Sequence, residues 1–158
     1  MKATFQKYTL QFKRPAGTSR GVLTEKPTWL LTIEHNGRRG IGECSPLPGL
    51  SIDDISDYER SKLLWTCAHI SLGKKALWEQ LKSYPSIQFG VEQAFLSLEA
   101  EQEGVLFPSP FTEGQVPIPI NGLIWMGDKH YMQQQIREKL SQGFRCIKMK
   151  IGAIDFET

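Results

Sequence analysis

The segment CIKMKIG, residues 146–152, sets two lysines two positions apart inside a short apolar run. Side chains along a strand alternate between its faces. Cys146, Lys148 and Lys150 therefore share one face, and Ile147, Met149 and Ile151 share the other, which suits packing beneath helices. Two ammonium groups about 6–7 Å apart, partly desolvated, disfavour each other's protonation. A lysine drawn down from its usual pKa of about 10.4 can serve as a general base. The same pattern also fits an edge strand whose lysines discourage pairing with another chain. These residues alone leave both readings open.

The elements around the lysines favour a ligand-binding position. Residues 118–124, IPINGLI, read as a strand. Residues 128–143 read as a helix capped by Asp128, edged by Met132, Ile136 and Leu140 and ended by Gly143. Residues 144–151 read as a second strand. Strand, helix and strand make a βαβ unit with two parallel strands and a right-handed crossover. In open α/β sheets and in (β/α)8 barrels, ligands bind at the C-terminal ends of such strands.

The preceding sequence reads differently. Residues 3–13 and 28–34 are strand-like, and residues 14–27, with their Pro, Gly, Ser and Thr, read as a long loop. Asn36-Gly37 predicts a tight hairpin turn. After the SPLPGLS loop (45–51), Ser51 and Asp54 predict a helix start, with Ile52, Ile55, Leu63, Cys67 and Ile70 as its stripe. Gly73 breaks that helix before a second piece at 74–84. A third helix begins near Ile87 and carries Val91, Ala94, Phe95 and Leu98 at helical spacing. The expected organisation is an α+β domain over residues 1–104, a linker at 105–117 and a βαβ region at 118–158.

Bulk composition excludes several functions. Of 158 residues, 40% are hydrophobic and 23% charged, with a formal net charge of +2, which is ordinary globular composition. So small a charge gives no reason to expect nucleic acid or an anionic membrane as partner. The first residues lack the apolar core of a signal peptide, and no run is apolar enough for a membrane span, which fits a cytoplasmic protein. Cys44, Cys67 and Cys146 suggest neither a disulfide framework nor a zinc site.

Taken together, GIGECSPLPGLS (40–51), SIQFGVEQAFLSLE (86–99), IPINGLIWMG (118–127) and FRCIKMKIG (144–152) resemble the o-succinylbenzoate synthases. That family lies in the muconate-lactonizing subgroup of the enolase superfamily. The resemblance covers essentially the whole chain in order. It implies an enolase-like α+β capping domain followed by the first βαβ of a modified (β/α)8 TIM barrel, here incomplete, with the active site between the two domains. It implies a Mg2+-dependent dehydration of 2-succinyl-6-hydroxy-2,4-cyclohexadiene-1-carboxylate to 2-succinylbenzoate, a step of menaquinone biosynthesis. Lys150 would be the base that removes the α-proton and then the acid that assists departure of hydroxide. Lys148 would hold the neighbouring charge and help stabilise the carboxylate.

The resemblance also implies two capping loops over the site, 16–21 and 46–51. Ser19, Arg20, Leu47, Gly49 and Leu50 are then the expected substrate-binding residues, for a small-molecule carboxylate. Arg20 suits bidentate carboxylate binding, and a solvated loop cation fits it equally. Glu43 reads as structural rather than catalytic, Trp125 and Met126 as packing residues or, alternatively, as lining the pocket, and Asn121 as either site-facing or backbone-satisfying. His35, His69 and His130 have no ligand spacing.

The family's Asp, Glu and Asp magnesium ligands come from later barrel strands and have no counterpart here. No metal ligand is therefore expected in this chain, Mg2+ belongs to the full-length enzyme only, and these residues alone are expected to be inactive. Self-association through the incomplete barrel is a further expectation. Two alternatives remain. One is an N-acylamino acid racemase or dipeptide epimerase of the same superfamily. The other is a small non-catalytic α+β interaction protein whose lysines face solvent or an acidic partner.

Overall fold

The structure, a computed structural model, describes residues 1–18 and 21–149. The chain divides into two compact units, residues 1–16 with 22–108 and residues 17–21 with 109–158.

The first unit is built on a three-stranded sheet in the order β1 (Lys2–Thr18), β2 (Gly21–His35), β3 (Arg38–Cys44). Asn36 at φ 50° and Gly37 at φ 75° make the turn between β2 and β3, as their sequence predicts. The antiparallel register runs from Trp29↔Cys44 to His35↔Arg38. On the inner face Trp29, Leu31 and Ile33 stand beside Cys44, Gly42 and Gly40. The loop expected at 14–27 is instead mostly strand, since β1 runs on to Thr18 and β2 starts at Gly21. Its two prolines both fall within these strands. Pro15 is on the edge strand, and Pro27 lies beyond Trp29, the last β2 residue partnered by β3.

Helical segments cover the inner face. A π-helix (Tyr58–Leu63) runs into α1 (Leu64–Ala68), a 3-10 turn (Ile70–Leu72) follows, and then come α2 (Lys74–Gln80) and α3 (Pro85–Glu99). In a π-helix, residues five apart stack on one face. Tyr58 and Leu63 have that spacing, and both are buried in the core. The helix expected from Ser51 does not form. Ser51 Oγ instead accepts from the Leu47 amide at 2.8 Å, Asp54 accepts from Gly49, and Ile52 is 79% exposed. Their capping chemistry closes a loop rather than opening a helix. Gly73, at φ 82°, separates the short segments as expected.

α3 delivers the predicted stripe. Ile87, Val91, Ala94, Phe95 and Leu98 are buried against the sheet. Its helix begins two residues before Ile87, with Pro85 in the first turn, where a proline costs no hydrogen bond. Contact with β3 is backbone to backbone. A Cβ built on Gly42 would stand 1.8 Å from the Gly90 carbonyl oxygen, and one on Gly40 2.1 Å from that of Ala94.

The second unit contains β4 (Gly122–Ile124), α4 (Lys129–Ser141) and β5 (Ile147–Met149), with β4 and β5 parallel. Asp128 caps α4, its Oδ1 accepting from the Tyr131 amide at 2.9 Å, and Gly143 follows the helix at φ 85°. Both strands are shorter than their sequence suggests. Residues 118–121 carry exposed side chains and no strand pairing, and of 144–151 only Ile147–Met149 form strand among the described residues.

Among the described residues, no helix is long and apolar enough to cross a membrane.

Candidate active site

The register of β4 and β5 places the described lysine. Gly122 pairs with Ile147, Leu123 with Lys148 and Ile124 with Met149. Gly122 faces α4 so closely that a Cβ there would stand 3.1 Å from Lys139 Cβ, Phe144 Cγ and Ile147 Cδ1. Ile124, two residues on, is fully buried. Strand alternation puts Leu123 and Lys148 on the opposite face, away from α4, with Lys148 exposed. The lysine-bearing face and the face toward α4 are thus separated, as strand alternation in CIKMKIG predicts. Met149 departs from it, being 47% exposed despite its packing-face parity. Lys150 lies outside the described residues, as do Ser19 and Arg20.

A residue that sequence reading passed over fixes the chain just past β4. Gln135 is buried, and its carboxamide makes two bonds to one backbone residue. Trp125 N–H donates to Oε1 at 2.9 Å, and Nε2 donates to the Trp125 carbonyl at 3.1 Å. A glutamine among the polar run QQQ at 133–135 gives no sign of this in sequence. Only its i+3 spacing from Met132, on the helix's buried side, could have marked it. The Trp125 side chain is 47% exposed and that of Met126 half-buried. Asn121 is exposed.

In the first unit, Leu47, Gly49 and Leu50 occupy one tied loop. The Leu50 and Ser51 amides both donate to the Leu47 carbonyl, at 3.0 and 2.9 Å. Gly49 takes φ 69°, a left-handed conformation that favours glycine. Its amide donates to Asp54 Oδ2 at 2.7 Å. Leu47 is exposed and Leu50 half-buried, so the loop presents an apolar edge without a core of its own.

Glu43, at the base of this loop, is tied to its strand neighbours. Thr28 Oγ1 donates to its carboxylate at 2.8 Å, and Lys26 stands 3.9 Å away while also bonding Ser45. The Thr28 hydroxyl, with Ser45 and Lys26 behind it, holds the carboxyl below the usual carboxylate range against the opposing pull of burial. A folded-state pKa that is depressed adds stability above the unfolded value and loses it as pH falls through the folded one. The stability gap between wild type and Glu43→Gln should therefore be present at neutral pH and close on acidification below about pH 4.5. Melting temperatures of the two proteins from pH 7 to pH 3 test this, and a gap that widened toward acid would refute it.

Cys44, deep in the sheet, is pushed up to about 12, first by burial and then by nearby Cys67, Asp53 and Glu43. Cys67 is pushed up to about 11 by burial. Both stay thiols and serve packing. Among the described residues, no three His, Cys, Asp or Glu side chains converge as metal ligands. The described residues do not by themselves offer a ligand set for a magnesium ion.

Comparison with known proteins extends these observations. The family described as MenC, N-terminal domain, matches residues 1–98. An o-succinylbenzoate synthase of Desulfotalea psychrophila is 38% identical over 193 aligned positions, covering 99% of this chain and 51% of the relative. The crystal structure of MenC from the same organism superposes with a TM-score of 0.74 at 30% identity, covering 96% of this chain and 49% of that one. An o-succinylbenzoate synthase from Thermosynechococcus elongatus, solved with magnesium in its active site, has a TM-score of 0.66 at 21% identity, covering 99% and 45%. At that identity the likeness shows the fold alone. The chain spans about half the length of the curated relative it matches across nearly its whole sequence. With its hairpin, its glycine-lined helix contact and its loop all inside the matched region, this chain belongs to the MenC family.

Proposed function

We propose that the whole protein is an o-succinylbenzoate synthase, removing water from 2-succinyl-6-hydroxy-2,4-cyclohexadiene-1-carboxylate. The observation that carries this reading is the 38% identity to such an enzyme across 99% of the chain. The position of Lys148 on the open face of β5 supports it. On this reading residues 1–104 are the capping domain and 105–117 the linker. The β4–α4–β5 unit is then the first βαβ of a modified (β/α)8 barrel in a cytoplasmic enzyme.

The chemistry uses two lysines and balances without an added reductant or oxidant. In an uninterrupted strand Lys150 shares the face of Lys148. The neutral Lys150 amine takes the α-proton beside the substrate carboxylate, and the C–H electron pair moves into an enediolate. The Lys148 ammonium stabilises that developing charge. As the electrons return, the C–O bond breaks, and Lys150 gives its proton to the departing hydroxide as water. Ring aromatisation makes the second half strongly downhill, so proton removal is the barrier. Leu47 and Leu50 would exclude water from the substrate, with Ser19 and Arg20 meeting its succinyl arm. Magnesium belongs to the proposal for the whole protein only, where it would supply charge neutralisation at the substrate carboxylate through ligands outside the described residues.

Following loss of the cyclohexadiene by ultraviolet absorbance, with purified protein of the relatives' full length, tests the reading. Turnover to the aromatic product is expected. Racemisation of an N-succinyl amino acid without dehydration would replace it by the epimerase reading, and no turnover of either would return the chain to a non-catalytic role.

A further inference from the structure

The loop between β3 and the π-helix poses a packing problem. Residues 45–57 contain no regular element, and their isoleucines, Ile52 and Ile55, point outward. Among the apolar side chains of 45–57 Pro46, next to β3, is buried, while Leu47, Ile52 and Ile55 are exposed, so apolar burial does not hold the loop tip in place. One polar residue is buried instead: Asp53 is 1% exposed.

Asp53 reaches across to the first turn of α3. Its Oδ2 accepts from the Ser86 amide at 2.8 Å and from Ser86 Oγ at 2.5 Å. Ser86 Oγ also pairs with the Tyr58 hydroxyl at 2.6 Å, so Tyr58 donates to Ser86 and Ser86 to Asp53. α3 has no side-chain cap of its own at Tyr84, and Asp53 supplies that function from 33 residues away. The free N–H groups and the positive end of a 15-residue helix favour a carboxylate there. Its other oxygen, Oδ1, is buried without a partner among the described residues. Leaving that oxygen unsatisfied is costly, and the bonds made by Oδ2 offset that cost.

From Asp53 the connection passes to the loop tip in one step. The next residue, Asp54, accepts from the Gly49 amide, and Ser51 accepts from Leu47. A shift at 53 is therefore carried directly to 47–51. We infer that Asp53 is a positioning residue. It pins the 45–57 loop to the N-terminus of α3 and so sets where Leu47, Gly49 and Leu50 stand. The value of that placement rests on the synthase reading, in which this loop covers the substrate; the pin itself does not.

Amide hydrogen exchange on this chain tests the pin, and kinetics on the full-length protein test its purpose. In Asp53→Ala, exchange at Gly49, Leu50 and Ser51 should accelerate about tenfold or more while Leu31 and Ile33 in β2 keep their protection. Asp53→Asn should restore most of that protection, because its carboxamide oxygen can still accept from the Ser86 amide. If Asp53→Ala loses β2 protection as well, Ser86→Ala decides. It keeps the backbone donor, removes the hydroxyl link to Tyr58, and should accelerate residues 49–51 alone by about threefold. No change at 49–51, or a uniform change, overturns the inference. In the full-length enzyme Asp53→Ala should raise KM about tenfold and leave kcat within about threefold, as loss of uniform binding does. An unchanged KM with loosened amides would show that the loop does not cover substrate. Absence of turnover in the wild type would defeat the synthase reading, and the exchange result would still judge the pin.

Discussion

Gly42→Ala should cost the first unit about 3 kcal/mol or more, at or beyond the upper end of the usual range for overpacking a core. The cause is geometric. The added methyl would stand 1.8 Å from the Gly90 carbonyl oxygen and 2.8 Å from the Ala94 amide nitrogen, both backbone atoms of α3. A clash with a flexible side-chain tip can be relieved by a rotamer change. A clash with helix backbone requires the helix to move, and α3 is held by Val91, Ala94, Phe95 and Leu98 in the same core. Domains are stable by only about 5–15 kcal/mol, so this one methyl removes a large share. For a unit of this size the melting temperature should fall by about 12 °C or more. A Gly42→Ala protein melting within a few degrees of wild type would mean that β3 and α3 are not in backbone contact.

Lys150→Ala in the full-length protein should lower kcat by about 10²–10⁴-fold, the usual contribution of a positioned general base. Two arginine substitutions separate the roles of the pair. Arginine keeps a positive charge and does not give up its proton in a protein. Lys150→Arg should therefore be as inactive as Lys150→Ala. Lys148→Arg should keep most of the activity that Lys148→Ala loses, since charge is all that is asked of it. Equal losses in Lys148→Arg and Lys150→Arg would put a proton-transfer role on both. Full activity in Lys150→Ala would remove the catalytic assignment.

How much of this was legible beforehand depended on whether the signal was local. The Asn36-Gly37 turn, the Asp128 cap and the α3 stripe are short-range statements, and the structure agrees with each. So is the separation of Lys148 from the α4 face, which follows from strand alternation. Residues 14–27 misled because turn-forming residues such as Pro15, Gly17 and Pro27 fall within strands, where sheet context overrides composition. Ser51 and Asp54 misled because a hydroxyl and a carboxylate three residues apart can satisfy loop amides as readily as helix amides. Asp53 and Gln135 were invisible for a different reason. Each is a polar residue buried by its partner, and the partners, Ser86 and Trp125, are set by tertiary structure. The π-helix left no mark either, since Tyr58 and Leu63 at five-residue spacing read as a defect in a helical stripe.

The glycine contact between β3 and α3 also acts as an error check on strand register. Gly40 and Gly42 face the helix, while Arg39, Ile41 and Glu43 alternate with them. Sliding β3 by one residue against β2 would turn an arginine, an isoleucine or a glutamate toward helix backbone that tolerates no Cβ at all. A wrongly paired hairpin would thus be refused by α3 outright, through exclusion rather than through a weaker core. The strand can be read in one frame only, and that frame is also the one that brings Glu43 beside Thr28 and Lys26 at the base of the 45–57 loop.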